Sequence, residues 1–315
     1  MALANNIETI EPVSLPKISP IKSIFAGPKG IRAGWRLLIF FLLLSIPGAI
    51  LLAIAHGQTG ATSQTQITAF LLSANDGVVL FILAGVTLVM GKIERRQFAE
   101  YGLPVRMALR KDFWIGSLIG FLTISSTLLV MFFLHVFRIA GLALHGMAIV
   151  ASLGGWSIAF VLVGLFEEFA FRGYVQYTLA SGIGFLPAAL VLSGLFGLAH
   201  FLLDPNETVV GSAGVVLFGL LLCLFLRTTG SLWCAVGFHA AYDWGQTFFY
   251  GVPDSGITPY HNLLHSVLSG PAWLTGGIVG PEGGIVTPFV LLVAAALFSR
   301  YYRRHRSRVE KPNAM

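Results

Sequence analysis

Long apolar runs alternate with short polar connections along most of the chain. Eight runs are long enough, at about 20 residues each, to cross roughly 30 Å of hydrocarbon as helices. They fall at residues 35–55, 68–91, 113–137, 148–170, 186–203, 210–226, 231–250 and 285–302. The runs are continuous and do not alternate with a period of two, which disfavours a membrane β-barrel. The pattern therefore predicts an all-α polytopic membrane protein with about eight transmembrane helices.

The composition agrees with a lipid environment. Hydrophobic residues make up 56% of the chain and charged residues 11%, whereas soluble domains have roughly 45–50% and about 25%. The formal net charge is +6, but the basic residues lie in short clusters between the apolar runs. This placement is typical of membrane topology, so we expect the lipid bilayer as a partner and no nucleic acid.

The distribution of Lys and Arg predicts the orientation of the helices. The connections at 56–67, 204–209 and 251–284 contain no Lys or Arg, and Arg138 is the exception near the end of the third run. The positive-inside rule then places both termini in the cytoplasm, with the plasma (inner) membrane as the expected location. The basic residues of the inward segments are Lys17, Lys22, Lys29, Arg32, Arg36, Lys92, Arg95, Arg96, Arg106, Arg110, Lys111, Arg227, Arg300, Arg303, Arg304, Arg306, Arg308 and Lys311.

This topology divides the chain into three parts. Residues 1–34 form a cytoplasmic N-terminal tail, residues 35–302 a transmembrane domain, and residues 303–315 a basic cytoplasmic C-terminal tail. The long connection at 251–284 is rich in Gly and Pro and has an apolar middle. It is expected to lie on the outer surface or to dip back in.

Ionisable side chains inside the apolar runs are candidates for function. Each costs at least about 2.5–3.5 kcal/mol to insert at the centre of a membrane helix. Asp76, beside Asn75 and Gly77, is interpreted as a packing or capping residue, and His135 as a packing residue. The other members of this group are Glu167, Glu168, Arg172, His200, His239 and Asp243.

Helix geometry separates the two adjacent glutamates. Consecutive helical residues project about 100° apart, so Glu167 and Glu168 cannot point at the same spot. Arg172 lies four positions after Glu168 on the same face, which predicts an ion pair with a structural and electrostatic role. Glu167 is left without a partner on its own helix and is a candidate general base or acid.

The remaining candidates are expected to meet Glu167. His200 follows it by 33 positions, with a turn signal at 181–187 near the midpoint. Antiparallel helices on either side of that turn would bring the two side chains to one depth. His239 and Asp243 are four residues apart and share a helix face. Four polar groups from three helices are therefore predicted to converge in a cavity.

These residues also carry a resemblance to a known family. EEFAFR (167–172) reads as EExxxR, FGLAH (196–200) as FxxxH, and HAAYD (239–243) resembles HxxxN. In this order they resemble the three motifs of the CAAX protease and bacteriocin-processing family (CPBP, also called Abi), whose eukaryotic members are the type II CAAX prenyl endopeptidases. The resemblance covers about residues 148–250 and makes this segment the motif core of a transmembrane protease domain.

The resemblance implies an intramembrane endopeptidase. Glu167 would activate a water for attack on a peptide carbonyl, and His200 would assist it. His239 and position 243 would bind and polarise that carbonyl. Glu168 and Arg172 would support the site.

Position 243 departs from the family pattern, because the prenyl endopeptidases carry Asn where this chain has Asp243. An amide can donate a hydrogen bond to an oxyanion, whereas an ionised carboxylate repels it. Asp243 would therefore be protonated or would instead orient His239.

The same side chains are also candidate ligands of a metal ion. Glu167, His200, His239 and Asp243 offer N and O ligands of the kind that zinc takes, so zinc is a candidate cofactor and a metalloprotease a candidate class. Its candidate ligands are Glu167, His200 and His239. The HExxH signature of many zinc proteases is absent from the sequence.

Two other functions stay open at this point. A proton-coupled transporter would use the carboxylates and histidines as a relay, although its typical inverted repeats are not visible in the sequence. A non-proteolytic immunity or scaffold protein would keep the fold without the reaction. For the protease, the expected substrate is a peptide or a membrane protein, prenylated or not.

Overall fold

The computed structural model describes residues 24–27, 30–58, 68–203, 207–256 and 260–309. Most of the predicted N-terminal tail, at residues 1–23, and the end of the C-terminal tail lie outside the described residues. Helices dominate the described part. They are α1 (Ala33–Gln58), α2 (Ala69–Glu94), α3 (Lys111–Phe133), α4 (Met147–Arg172), α5 (Tyr174–Ile183), α6 (Phe185–Leu203), α7 (Val209–Thr229), α8 (Trp233–Trp244), α9 (Ala272–Thr275) and α10 (Val286–Val309).

The all-α polytopic class is confirmed. Among the described residues, six helical segments are long and apolar enough to cross a membrane, and they correspond to the first six predicted runs. Their outward faces carry large apolar side chains such as Phe70 and Phe81, which are about 80% exposed. Such faces are stable in lipid and unfavourable in water. The segments are Ala33–Leu51, Ala69–Glu94, Lys111–Phe133, Met147–Ile183, Phe185–Leu203 and Val209–Thr229.

The two remaining predicted runs are helical but differ in character. The run at 231–250 becomes the 12-residue helix α8 followed by a π-helical turn, Gly245–Phe249. Nearly every side chain of α8 is buried. The run at 285–302 becomes α10, which ends in the basic stretch of the C-terminal tail. The seventh run is therefore apolar because it is enclosed by other helices.

Small residues allow α8 to pack closely at the centre. A Cβ atom at Gly116 or Gly120 of α3 would overlap the carbonyl oxygens of Cys234 and Phe238 in α8. In return, a Cβ atom at Gly237 would overlap the carbonyl oxygen of Phe113. Such small-residue contacts are a common way for membrane helices to approach each other. They fix the position of α8, which carries two of the candidate site residues.

In the described part of the chain, two short antiparallel ribbons accompany the helices. Strands β1 (Ala26–Gly27) and β2 (Gly30–Ile31) pair before α1. Strands β3 (Phe137–Leu142) and β4 (Leu264–Leu268) pair with a register shift between Ile139 and Gly141. The second ribbon ties the connection after α3 to the long loop that precedes α10.

The long connection at 251–284 packs back onto the helices. Besides the β3–β4 ribbon, the backbone N–H of Leu263 donates to the carbonyl of Phe248 at 2.7 Å. The N–H of Gly256 donates to the carbonyl of Val279 at 3.1 Å, and so joins the two ends of the loop. This return brings loop residues to the wall of the cavity described next.

Candidate functional site

The end of α4 carries the predicted ion pair. Nη1 of Arg172 lies 3.2 Å from Oε1 of Glu168, and both side chains are fully buried. The Arg172 guanidinium also lies over the ring of Phe196 in α6, 4.5 Å from its centroid. Burial of the two opposite charges together lowers the cost of placing either one inside the bundle. Glu168 is thereby held in one position behind the cavity.

His239 of α8 joins the two glutamates of α4. Its Nδ1 lies 2.9 Å from Oε1 of Glu168, and because a carboxylate only accepts, Nδ1 donates this hydrogen bond. Its Nε2 lies 3.6 Å from Oε2 of Glu167 and 3.3 Å from Oδ2 of Asp243. The imidazole that pairs with Glu167 is thus that of His239, which comes from a helix distant in sequence.

His200 presents its other nitrogen to the cavity. Its Nδ1 lies 2.9 Å from the carbonyl oxygen of Phe196, one helical turn earlier. A carbonyl only accepts hydrogen bonds, so Nδ1 carries a proton and donates it. This contact fixes the ring and leaves Nε2 as the nitrogen that can accept a proton or a hydrogen bond from a water in the cavity.

One cavity of about 150 Å³ collects the four predicted residues Glu167, His200, His239 and Asp243. Glu167 is the more accessible of the two glutamates, with 24% of its side chain exposed. The apolar part of the wall comes from α2, α4, α6, α7 and α10, through residues that include Leu72, Phe160, Val163, Phe196, Phe218 and Leu291. A small cavity with convergent polar groups beside an apolar wall can hold a reacting water in a defined position.

The cavity also includes polar residues that sequence reasoning did not assign to it. Asp76 of α2, interpreted above as a packing or capping residue, lines the same space and accepts a hydrogen bond from Asn75 at 2.9 Å. Asp254, Ser255 and Glu282 enter from the long loop. One sequence signal was available, because Asp254 and Glu282 are the two acidic residues of the 251–284 connection.

The loop acids are held by a local network. The backbone N–H and the hydroxyl of Ser255 both donate to Oε1 of Glu282, at 2.5 and 2.9 Å. The hydroxyl of Thr247 donates to Oδ2 of Asp254 at 2.8 Å. Burial, and secondarily the charge of Asp254, raise the pKa of Glu282 to about 8. Glu282 therefore keeps its proton at neutral pH.

The arrangement does not match a metal centre. Across the described part of the chain, no three His, Cys, Asp or Glu side chains are placed so that they could hold a metal ion. The contacts of His239 explain this result, since Nδ1 is engaged by Glu168 and Nε2 lies between two carboxylates. The donor set of the described residues thus does not fit the candidate zinc site.

A family model supplies the comparison with known proteins. Residues 149–245 match the family described as type II CAAX prenyl endopeptidase Rce1-like. Over these residues the chain is similar to that family. The match covers about a third of the chain and includes all three motifs, from Glu167 to Asp243. It confirms the resemblance seen in the sequence. No curated protein matches the chain.

The matched segment coincides with the helices that build the site. It runs from the start of α4 to the beginning of the π-helical turn after α8. The family implies a protease with a peptide substrate in a membrane environment. Asp76, Asp254 and Glu282 lie outside the matched segment.

Proposed function

We propose that the protein is an intramembrane endopeptidase in which Glu167 activates a water for attack on a peptide bond. The observation that carries this proposal is the 3.6 Å approach of Glu167 to His239, in a cavity that also contains His200. A carboxylate and two imidazoles that line one small cavity are groups that general acid–base hydrolysis uses.

The roles of the residues follow from their contacts. Glu167 takes a proton from the water, and Nε2 of His200 accepts a hydrogen bond that orients the same water. His239 acts in its imidazolium form, which has a proton on both ring nitrogens: Nδ1 donates to Glu168, and Nε2 donates to the oxygen that becomes the oxyanion. Because Oδ2 of Asp243 lies beside that nitrogen, its role is to orient His239. Glu168 and Arg172 fix the imidazole.

The test is cleavage of a peptide library by the purified full-length protein in detergent. We expect the wild type to cleave and Glu167→Gln to lose activity by at least about 10²-fold, the lower range for removal of a general base. Glu100→Gln is the matched control, since Glu100 is exposed, lies in a 3₁₀ turn and does not line the cavity. Activity that persists in Glu167→Gln would contradict the assigned role.

A chelator added to the wild type distinguishes metal-independent hydrolysis from hydrolysis by a metalloprotease. Since the donors do not form a metal centre in the described residues, we expect cleavage to continue in the presence of the chelator. Loss of cleavage on chelation, with recovery on addition of zinc, would establish a metalloprotease instead.

The membrane orientation belongs to the same proposal. Both termini are placed in the cytoplasm, with the 251–284 loop and the β3–β4 ribbon on the outer side. Single cysteines introduced at Ser269 and Arg303, both in exposed positions, test this assignment by labelling with an impermeant thiol reagent in intact cells. Labelling is expected at Ser269 and not at Arg303, and the reverse result would invert the topology.

A further inference from the structure

Glu282 lines the cavity from a loop segment in which Gly276 and Gly280 adopt positive φ angles and make close backbone contacts. Gly280 has φ +111°, and a Cβ atom there would overlap the carbonyl oxygen of Pro253. Gly276 has φ +79°, and a Cβ atom there would overlap the carbonyl oxygen of Gly280. These close approaches press the Glu282 segment against the residues that precede Asp254. The backbone conformation of this loop therefore restricts where the Glu282 side chain can lie.

The hydrogen bonds of Glu282 are asymmetric. Both donors of Ser255 reach Oε1, so Oε2 is the oxygen that can carry a proton. The carboxyl lines the same small cavity as Glu167 and His200. Its acid form is favoured by burial and by the neighbouring Asp254 carboxylate, which hold its pKa at about 8.

The titratable groups around Glu282 come from several elements. Asp254 belongs to the same loop, His200 to α6, and Tyr242 and Asp243 to α8. Glu167 of α4 lines the same cavity. Glu282 is therefore a protonated acid placed among a proposed base and two imidazoles, and not a solvated loop residue.

We propose that Glu282 is the acid catalyst of this site and donates the proton that the leaving amine requires; this inference rests on the proposed peptidase function. Glu167 removes a proton from water, and the water oxygen bonds to the carbonyl carbon. When the C–N bond breaks, the bonding pair goes to nitrogen, which takes the proton of Glu282. The proton held by Glu167 then returns to Glu282 through the cavity water, and both carboxyls regain their starting states.

The experiment compares two leaving groups on one sequence. The first probe is a fluorogenic peptide that the wild type cleaves, and the second is its thioester analogue, with sulfur in place of the scissile N–H. A thiol has a pKa of about 8.5, so a thiolate can leave without taking up a proton. An amine leaving group needs a proton. We expect Glu282→Gln to slow the peptide by about 10²-fold or more and the thioester by less than about threefold. Glu282→Asp, which retains an acid, should recover part of the peptide rate.

The outcomes are distinct. Equal slowing of both substrates, or no slowing, would overturn the acid role and indicate a structural one. The wild type supplies a measurement that does not depend on the folding of the variant: peptide cleavage should decline above about pH 8, where Glu282 loses its proton, and thioester cleavage should not. A parallel decline would also overturn the inference. Absence of wild-type cleavage, or unchanged cleavage by Glu167→Gln, would overturn the proposed function and this inference with it.

Discussion

Glu168 and His239 lie 71 positions apart in the chain, yet Oε1 of one and Nδ1 of the other are 2.9 Å apart. The same carboxylate oxygen contacts Nη1 of Arg172 at 3.2 Å. Glu168 therefore joins a buried cation to the imidazole that faces Glu167. This relationship connects the stability of the helix bundle to the orientation of the site.

Removal of the charge of Glu168 should affect both stability and cleavage. Glu168→Gln leaves Arg172 buried without its counter-charge, which destabilises by about 3–5 kcal/mol in comparable buried pairs. The double variant Glu168→Gln/Arg172→Met should regain most of the thermal stability and stay inactive, because His239 is still not held by a carboxylate. Thermal unfolding in detergent, beside a cleavage assay, measures both. Recovery of activity in the double variant would contradict the orienting role of Glu168.

Asp243→Asn tests the departure from the family motif. An asparagine can still contact Nε2 of His239, and its amide can also donate to a developing oxyanion. We expect kcat to rise, by less than the roughly 10²–10³ that one oxyanion donor contributes. Asp243→Leu removes both contacts and should lower kcat. If Asp243→Asn were as impaired as Asp243→Leu, the negative charge itself would be required.

Gly219→Ala should disturb the site by displacing Arg172. A Cβ atom at Gly219 would overlap Nη2 of Arg172 and lie 3.0 Å from the hydroxyl of Ser193. Arg172 must then move, and displacements near 1 Å in a catalytic site can reduce rates by about 10²-fold. Gly194→Ala is the matched control, since no atom lies within 4 Å of its Cβ position. Both changes gain helix propensity, so lower activity in Gly219→Ala than in Gly194→Ala isolates the displacement of Arg172.

Gly280→Ala should detach Glu282 from the cavity. The substitution meets a positive φ and overlap with the carbonyl oxygen of Pro253. Gly230→Ala shares the positive φ, at +75°, but has no atom within 4 Å, so it reports the backbone strain alone. We expect Gly280→Ala to lose peptide cleavage by about the same factor as Glu282→Gln and Gly230→Ala to retain it. Similar behaviour of the two glycine variants would show that the overlap has no consequence.

The raised pKa of Glu282 predicts a pH dependence of stability. Between its ordinary value of 4.5 and about 8, the folded state holds a proton that the unfolded state has released. Stability attributable to this group therefore falls as pH rises through that window. Glu282→Gln cannot titrate, so its unfolding temperature should decline less than that of the wild type between about pH 5 and about pH 9. Parallel curves for the two proteins would contradict the assignment.

Features that depend on local geometry and on solvent could be predicted from the amino-acid sequence. Twenty-residue apolar runs can satisfy their backbone groups in lipid only as helices, so the first six spans were predictable. The spacing of Glu168 and Arg172 placed them on one helix face because the helical repeat is fixed. The motif residues from Glu167 to Asp243 were recognisable for the same reason, since each motif lies within one or two turns.

Which of these side chains meet, and which other residues join them, depends on the packing of distant segments. The close contact of His239 with Glu167 depends on how α8 packs against α3 through glycines, which no local pattern encodes. The seventh apolar run was predicted to span the membrane but forms a short helix enclosed by other helices. The sequence could not distinguish these two outcomes, because burial by other helices and burial by lipid favour the same composition. Asp254 and Glu282 entered the cavity through loop closure at Gly276 and Gly280. Such non-local packing selects one chain path among many that the apolar pattern allows.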